Sequence, residues 1–590
     1  MGTAERVAAK ASLVGTFCPA SGLELAGAAT TNDGIVCRLD GHLDNADELG
    51  SDLAAAYRRW GAGLLERMRG DFALVVWDRE RREGLLARDQ LGVRPLFLAE
   101  AGGRLLFASE LRDLLELLPS TPAPDADAVA HWIALSTRPG TGTLYEGVER
   151  LGPGEVLRFG PGGVSRSRYW APRFREPLEL APGEWAERVR EGLGTAVRRR
   201  FDPQGGTGVL LSGGLDSASI AAVGADALSA CSGTFPEHPQ ADEAQLIADL
   251  RAALGLGGLI AEVRPGGLLA SVIEYAAAWR APLLGWGDFW TLPLLRAAAE
   301  RGIGTMLGGD GGDEVFAPRA YVLADALRGG RSRRVMQLAR RLPGSGPHVG
   351  RRREAAMIAR LALAGALPPW PAGWALPGTG DGAPVWLTRS TRRRLRRSDD
   401  PDGWKRLDGP RWWAFAAHGV SSGIESTGVF EHQRRRAAMA GLEARHPMLD
   451  LDLVELSLRQ PPEQTLDPRF SRPVLREAMA GLLPDSVRLR PQKALFEQLI
   501  VSAMRGPDGA AIEAILTAPD AEVGAYVDRE RMTVALFGAD SVLKAEPFRW
   551  MWQVWRLLTA EVWLRSLSGG DGLAERKNSL LEARVEVRAT

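Results

Sequence analysis

The chain has 590 residues, enough for at least two domains, and its 73 basic and 73 acidic side chains cancel. That balance gives no reason to invoke a nucleic acid or a membrane as the main partner. Its three cysteines, Cys18, Cys37 and Cys231, are too few and too unevenly spaced for a disulfide framework or a Cys-rich zinc site, and they suit a reducing, cytoplasmic compartment.

Short alternating strands and Gly turns fill the chain up to about Trp170, among them residues 104–108 and 154–159, and predict a layered α/β sandwich. Residues 171–183 read as a linker and residues 184–200 as an amphipathic helix opening a second domain, 184–590. Nothing at the N terminus reads as a signal peptide.

Residues 208–217, Gly-Val-Leu-Leu-Ser-Gly-Gly-Leu-Asp-Ser, carry the strongest local signal. A buried strand runs into a tight turn at Ser212, Gly213 and Gly214, and a helix opens beside Ser217. Unpaired amides and the positive helix end converge there on an anion. The Gly-Lys-Ser/Thr ending of the Walker loop is absent, and Asp216 stands in its place. An acid among phosphate-binding amides makes sense when a divalent cation bridges it to the phosphate. That arrangement suits cleavage of ATP between its α and β phosphates. The bland reading is a turn that uses two glycines for geometry alone.

A second acidic turn follows at residues 308–314, Gly-Gly-Asp-Gly-Gly-Asp-Glu, after the short apolar strand 302–307. Four glycines around three carboxylates are costly to order and offer nothing to a core. Ligands of parallel α/β sheets collect at that strand edge. Alternating strand and helix signals from 208 to 316 predict a parallel sheet covered on both faces, and the remainder reads as mainly helical.

From 328 to 411 the chain holds 19 basic against 6 acidic residues. This insertion is either a solvated Arg-rich segment or a docking surface for a peptide or partner protein. Its apolar run 361–367 is cut by Pro368-Pro369, too short to span a bilayer. Near the C terminus, Trp550, Trp552, Trp555 and Trp563 lie at spacings that favour core packing for most of them.

The two loops together resemble the synthetase domain of the asparagine synthetase superfamily, whose fold is a PP-loop ATP pyrophosphatase. Residues 439–450, Met-Ala-Gly-Leu-Glu-Ala-Arg-His-Pro-Met-Leu-Asp, resemble a further signature, and residues 490–496, Arg-Pro-Gln-Lys-Ala-Leu-Phe, the catalytic-lysine segment. Residues 70–78 and 87–96 resemble the family's N-terminal glutaminase, an Ntn-hydrolase-like sandwich placed here at 1–170. The resemblance implies ATP and Mg²⁺, with Asp216 and Asp313 as the metal carboxylates. It places Leu210, Gly233, Gly308 and Gly309 around the adenosine, the amides around Ser212, Gly213, Gly214 and Ser217 on pyrophosphate, and Lys493 on the phosphoryl and acyl oxygens.

Two departures bear on function. The family glutaminase uses an N-terminal cysteine, whereas this chain begins Met1-Gly2-Thr3-Ala4; and Asp40-Gly41 stands where the family has Asn-Gly at the oxyanion. A degenerate glutaminase is expected, with an amine on the substrate itself as nucleophile. Superfamily members with that loss are β-lactam and carbapenam synthetases and lasso-peptide macrolactam cyclases. The Tyr–Glu base of β-lactam synthetases falls by counting on Asp310 and Glu431, which could share a proton. The missing tyrosine and the large insertion make a lasso-peptide cyclase the closest match. That implies a precursor peptide substrate, together with a leader-peptide-binding protein and a leader protease. An ammonia-dependent asparagine synthetase, a β-lactam synthetase and a non-catalytic nucleotide-binding protein are the alternatives.

Overall fold

The computed structural model describes residues 12–589 apart from 51, 137–139, 265, 344–358, 369–383, 399–402, 425, 492–493, 495, 540 and 569–584. Strand pleat decides the N-terminal layers. Along Gly70–Asp78, Ala73, Val75 and Trp77 face one side while Phe72, Leu74 and Val76 face the other. The first set meets Phe17, Leu98, Leu105 and Phe107 of a second sheet; the second set packs on Ala54, Leu64 and Leu65 from helical segments. A six-stranded antiparallel sheet, containing Ile35–Leu43, Gly70–Asp78 and Glu83–Arg88, therefore faces a five-stranded one built on Val14–Cys18, Phe97–Ala101 and Arg104–Ala108. Helices Leu111–Leu117 and Ala126–Ile133 cover the far side of the smaller sheet. The result is the layered sandwich expected from the sequence.

After the helix Pro182–Arg199, a third sheet forms. Its order is Glu443–Arg445, Ile303–Leu307, Gly206–Leu210, Leu228–Thr234, Gly258–Val263 and Val585–Ala589; the first five are parallel and the last antiparallel. The chain winds outward from Gly206–Leu210 in one direction, then returns with Ile303–Leu307 on the other side of it. That reversal makes a topological switch point, where the carboxyl ends of two adjacent strands open a crevice. Both glycine-rich loops leave from this point.

The two halves share one apolar core. Phe97, Val129 and Val148 of the sandwich join Trp555, Leu558 and Trp563 of the helix Pro547–Leu567. Trp550, Trp555 and Trp563 are buried and Trp552 is partly buried, so these tryptophans are core residues. Tyr145 meets Trp563 edge-on at 5.6 Å. Much of the Arg-rich stretch, including nearly all of its Pro-Trp run, lies outside the described residues. Of the rest, Trp404 packs on Tyr321 with ring centroids 4.6 Å apart, and Arg411 is buried. No helix among the described residues is long and apolar enough to cross a membrane.

A buried cation also joins the halves. Arg200, fully buried at the end of its helix, reaches Asp450 Oδ2 at 3.0 Å and Asp44 Oδ2 at 3.3 Å. Burial would raise the Asp44 carboxyl, but Arg200 and His42 outweigh it and hold it at about 2. A depressed carboxylate stabilises the fold above its unfolded pKa of about 4 and loses that contribution as pH falls through its folded value. Arg200→Met should lower stability by about 3–5 kcal/mol at neutral pH. Urea unfolding should also find the mutant less acid-sensitive than the parent between about pH 4 and pH 2; equal stability at pH 7 would show that this pair does not hold the halves.

Candidate active site

The strand Gly206–Leu210 delivers Ser212, Gly213 and Gly214 to the crevice, and the helix Leu215–Val223 carries Asp216 and Ser217 in its first turn. Local hydrogen bonds shape the loop. Ser212 N donates to Ser217 Oγ at 3.2 Å, and Gly214 N donates to Ser212 Oγ at 3.2 Å. Gly213 N donates to Glu243 Oε2 at 2.9 Å, and the buried Glu243 also accepts from Arg490. One loop amide thus points at a carboxylate, the geometry in which a turn of this kind can hold an anion.

The second loop leans on the first. A Cβ at Gly312 would stand 2.6 Å from Asp216 Cγ, and one at Gly311, where φ is +91°, would stand 2.5 Å from Leu449 Cγ. Glycine is required here because the backbone itself presses on Asp216. Asp216 and Asp313 meet at one cation: Arg472 Nη1 lies 2.5 Å from Asp216 Oδ2 and 3.0 Å from Asp313 Oδ1. Arg472 is buried and sits at φ +58°, a left-handed conformation costing a non-glycine residue about 1–2 kcal/mol. Sequence reasoning missed both Arg472 and Glu243, since neither lies in a loop with a recognisable pattern.

These groups line a cavity of about 510 Å³ that contains Leu210, Ser212, Gly213, Gly214, Asp216, Ser217, Gly309, Asp310 and Asp313. Gly308 ends the strand ladder instead, its N–H donating to Arg445 O at 3.1 Å. Gly233 lies behind the wall, where a Cβ would stand 2.7 Å from the Trp290 ring. Trp290 meets Phe235 edge-on, and Phe235 meets the cavity residue Phe496 in the same way. Lys493 lies outside the described residues, although its neighbours Pro491 and Ala494 line the cavity.

The field in this cavity suits a cation. Burial raises the Glu314 carboxyl above its ordinary range, and the charges of Asp313, Asp310 and Asp216 raise it further. Among the described residues no cluster of three His, Cys, Asp or Glu side chains could hold a metal by itself. Asp216 and Asp313 therefore fit a Mg²⁺ completed by phosphate oxygens, not a cage made of protein alone.

Asp310 and Glu431 take different partners. Asp310 Oδ2 lies 3.3 Å from His446 Nδ1, and Asp310 Oδ1 accepts from Gln433 at 3.3 Å. Burial opposes ionisation of Asp310, yet His446 and Arg436 hold its carboxyl below the usual range. Glu431 accepts from Arg150 Nε at 2.5 Å and lies 3.4 Å from Arg435 Nη2. Burial would raise its carboxyl, and the two guanidiniums bring it down to about 2. The shared proton expected of this pair is thus replaced by two separately stabilised carboxylates, and Glu431 belongs to an ion-pair network.

The Asp40 region is likewise occupied. Asp40 is half-buried, accepts from Ser109 Oγ, and lies 2.8 Å from Arg434 Nη2 and 3.7 Å from Arg94 Nη1. Arg434 belongs to the helix Val429–Met439 of the second half. The void among His42, Arg94, Arg434 and His446 measures about 10 Å³, room for no more than one water.

An amidotransferase-type sandwich fused to a parallel sheet with an anion loop at its switch point defines a two-domain Ntn-type amidotransferase and synthetase architecture. Residues 188–565 match the asparagine synthase family and residues 50–170 the glutamine amidotransferase domain. The first match alone covers more than half of the chain, and the protein belongs to the asparagine synthase family. It is 34% identical over 208 residues to the putative asparagine synthetase (glutamine-hydrolyzing) of Mycobacterium tuberculosis, covering 34% of this chain and 31% of the relative. It is 31% identical over 175 residues to asparagine synthetase (glutamine-hydrolyzing) 3 of Bacillus subtilis, covering 29% of this chain and 28% of the relative. Identity to amidase chyE of Penicillium rubens is 28% over 300 residues, covering 46% of this chain and 43% of the relative. The chain thus spans about a third of the length of the two synthetases and under half of the amidase.

Glu431→Gln should behave as a broken buried ion pair and cost about 3–5 kcal/mol at pH 7, since Arg150 and Arg435 lose their shared charge. The difference from the parent should shrink as pH falls from about 4 to about 2, where Glu431 itself protonates. Denaturation midpoints across that window are the check, and a mutant as stable as the parent at pH 7 would contradict the network.

Proposed function

We propose that the protein is an ATP-dependent carbon–nitrogen ligase that adenylates a carboxylate, releases pyrophosphate and then forms an amide. The observation that carries this reading is the pairing of an anion-binding turn with Asp216 and Asp313 at one switch-point cavity. Mg²⁺ held by Asp216 and Asp313 would clamp the phosphates and draw charge from the cleaved bond. Ser212, Gly213, Gly214 and Ser217 hold the leaving pyrophosphate, for which the Glu243 carboxylate now stands on one amide. Lys493 stabilises charge on the phosphoryl and acyl oxygens. A substrate carboxylate oxygen attacks the α-phosphorus and pyrophosphate departs. An amine then attacks the acyl carbon, AMP departs, and the amine's proton leaves by way of Asp310, whose Oδ2 lies 3.3 Å from His446 Nδ1.

We further propose that the amine belongs to the substrate, and that the product is a lasso-peptide macrolactam joining the peptide's N-terminal amine to an Asp or Glu side chain. The Asp40–Arg434 pair supports this, because it sets a paired carboxylate where a glutaminase would stabilise its oxyanion, which counts against the sandwich as a source of ammonia. The precursor peptide, a leader-peptide-binding protein and a leader protease are the expected partners, in the cytoplasm. An asparagine synthetase fed by free ammonia is the second reading, favoured by the names of the relatives. Incubation with ATP, Mg²⁺ and the core peptide of a neighbouring precursor gene decides between them. Loss of one water from the peptide per AMP supports the cyclase; asparagine made from aspartate and ammonium, with the peptide untouched, overturns it.

Asp216→Asn and Asp313→Asn should each abolish ATP–pyrophosphate exchange with the fold intact, and parental exchange in either mutant would remove that residue from the metal site. Asp310→Asn should keep exchange and a hydroxylamine-trapped acyl group while losing amide product by about 10²–10⁴-fold. Normal product from that mutant would place the proton acceptor elsewhere.

A further inference from the structure

Beside the nucleotide cavity lies a second of about 240 Å³, and Thr427 stands in the wall of both. Both halves of the protein build it. Trp132 and Arg150 come from the N-terminal sandwich, and Tyr275, Glu431, Arg435 and Arg556 come from the second half. Its charges do not cancel. Arg150 and Arg435 share Glu431, and Arg435 also has Glu110 at 2.8 Å. Arg556 has no such partner among the described residues: its Nε meets no hydrogen-bond acceptor, and burial alone lowers it below the usual arginine range, to about 10.

Arg556 is nevertheless held in place. Its guanidinium carbon lies 4.2 Å from the centroid of the Trp132 ring, and Trp132 Nε1 donates to Thr559 Oγ1 at 3.1 Å. Arg556 and Thr559 lie one turn apart on the helix Pro547–Leu567, so the ring and the cation are fixed by the same helix. Arg556 as a whole is half-buried, with its Nε out of contact with solvent; a guanidinium so placed without an anion is costly, and stacking on an indole offsets only part of that cost. A planar fork so oriented is suited to a carboxylate, which it can bind with two parallel hydrogen bonds.

We propose that this cavity is a carboxylate-binding site with Arg556 as its anchor, and that it holds a second carboxylate of the acyl substrate while the reacting one lies at the nucleotide. At about 240 Å³ the cavity falls below the usual range of small-molecule pockets, so the group it takes is about one residue in size. The N-terminal sandwich then serves as a wall of the substrate site through Trp132. That the bound group belongs to the acyl substrate rests on ligase chemistry in the neighbouring cavity; that a carboxylate binds at all does not.

The full chain labelled with 5-fluorotryptophan allows a test without turnover. The Trp132 fluorine signal, identified by its loss in Trp132→Phe, is followed during titration with N-acetylglycine and with its neutral isostere N-acetylglycinamide. A saturable shift with the acid and none with the amide is expected. Arg556→Gln should weaken the acid at least about tenfold and Arg556→Lys by less, as befits loss or blunting of one charged hydrogen-bonded pair. Equal responses to acid and amide, or parental acid binding in Arg556→Gln, would overturn the site. If Arg556→Gln does not fold, the acid–amide comparison in the parent still decides. Selective acid binding in a protein that shows no pyrophosphate exchange would keep the site and remove the ligase reading, whereas exchange without acid binding would do the reverse.

Discussion

Negative charge crowded at the ends of two neighbouring strands governs the second half of this protein. Asp216, Asp310, Asp313 and Glu314 all line one cavity at the switch point. Two like charges about 4 Å apart repel by about 4 kcal/mol at an effective dielectric of 20, so the set is tolerable only with counter-charge. Arg472 supplies part of it by bridging Asp216 and Asp313, at the cost of a left-handed backbone. At Asp310, His446 Nδ1 lies 3.3 Å from Oδ2, and Arg436 adds positive charge nearby. Glu314 is left with its carboxyl raised, first by burial and then by the neighbouring Asp313, Asp310 and Asp216. A divalent cation arriving with phosphates would complete that balance.

The helix Val429–Met439 links that acidic cluster to the rest of the molecule. Gln433 donates to Asp310, Glu431 binds Arg150 of the sandwich, and Arg434 and Arg435 reach Asp40 and Glu110. Glu431, Arg435 and Glu110 are buried and paired, so this part of the junction is intolerant of single losses. Open volume lies beside it, in the cavity lined by Trp132 and Arg556. The N-terminal sandwich thereby contributes wall and bracing to the synthetase half.

Order in the chain was enough to determine the two-part architecture and the two glycine-rich loops at the strand ends. The run 208–217 announces strand, turn and helix because three apolar residues, two glycines and an acid each have few other places to go, and the strand and helix form there. The acidic glycines of 308–314 form a loop beside Asp216, where a Cβ built on Gly312 would stand 2.6 Å from Asp216 Cγ. The tryptophans at 550, 555 and 563 read correctly as core from helical spacing.

Only the tertiary structure decided which charges meet. Arg472 lies 256 residues from Asp216, and Arg150 lies 281 from Glu431, so no local pattern predicts either pair. Counting along the chain brought Asp310 and Glu431 together as a proton-sharing pair, yet packing gives each its own cation, and a carboxylate's proton affinity follows the nearest charges, not its place in a motif. Asp40 shows the same limit. Sequence marks it as hostile to an oxyanion, but only the fold turns it into a partner for Arg434. Sequence determines what is local, namely apolar period, turn chemistry and the groups available. Charge pairing across hundreds of residues depends on distances that exist only once the chain has folded.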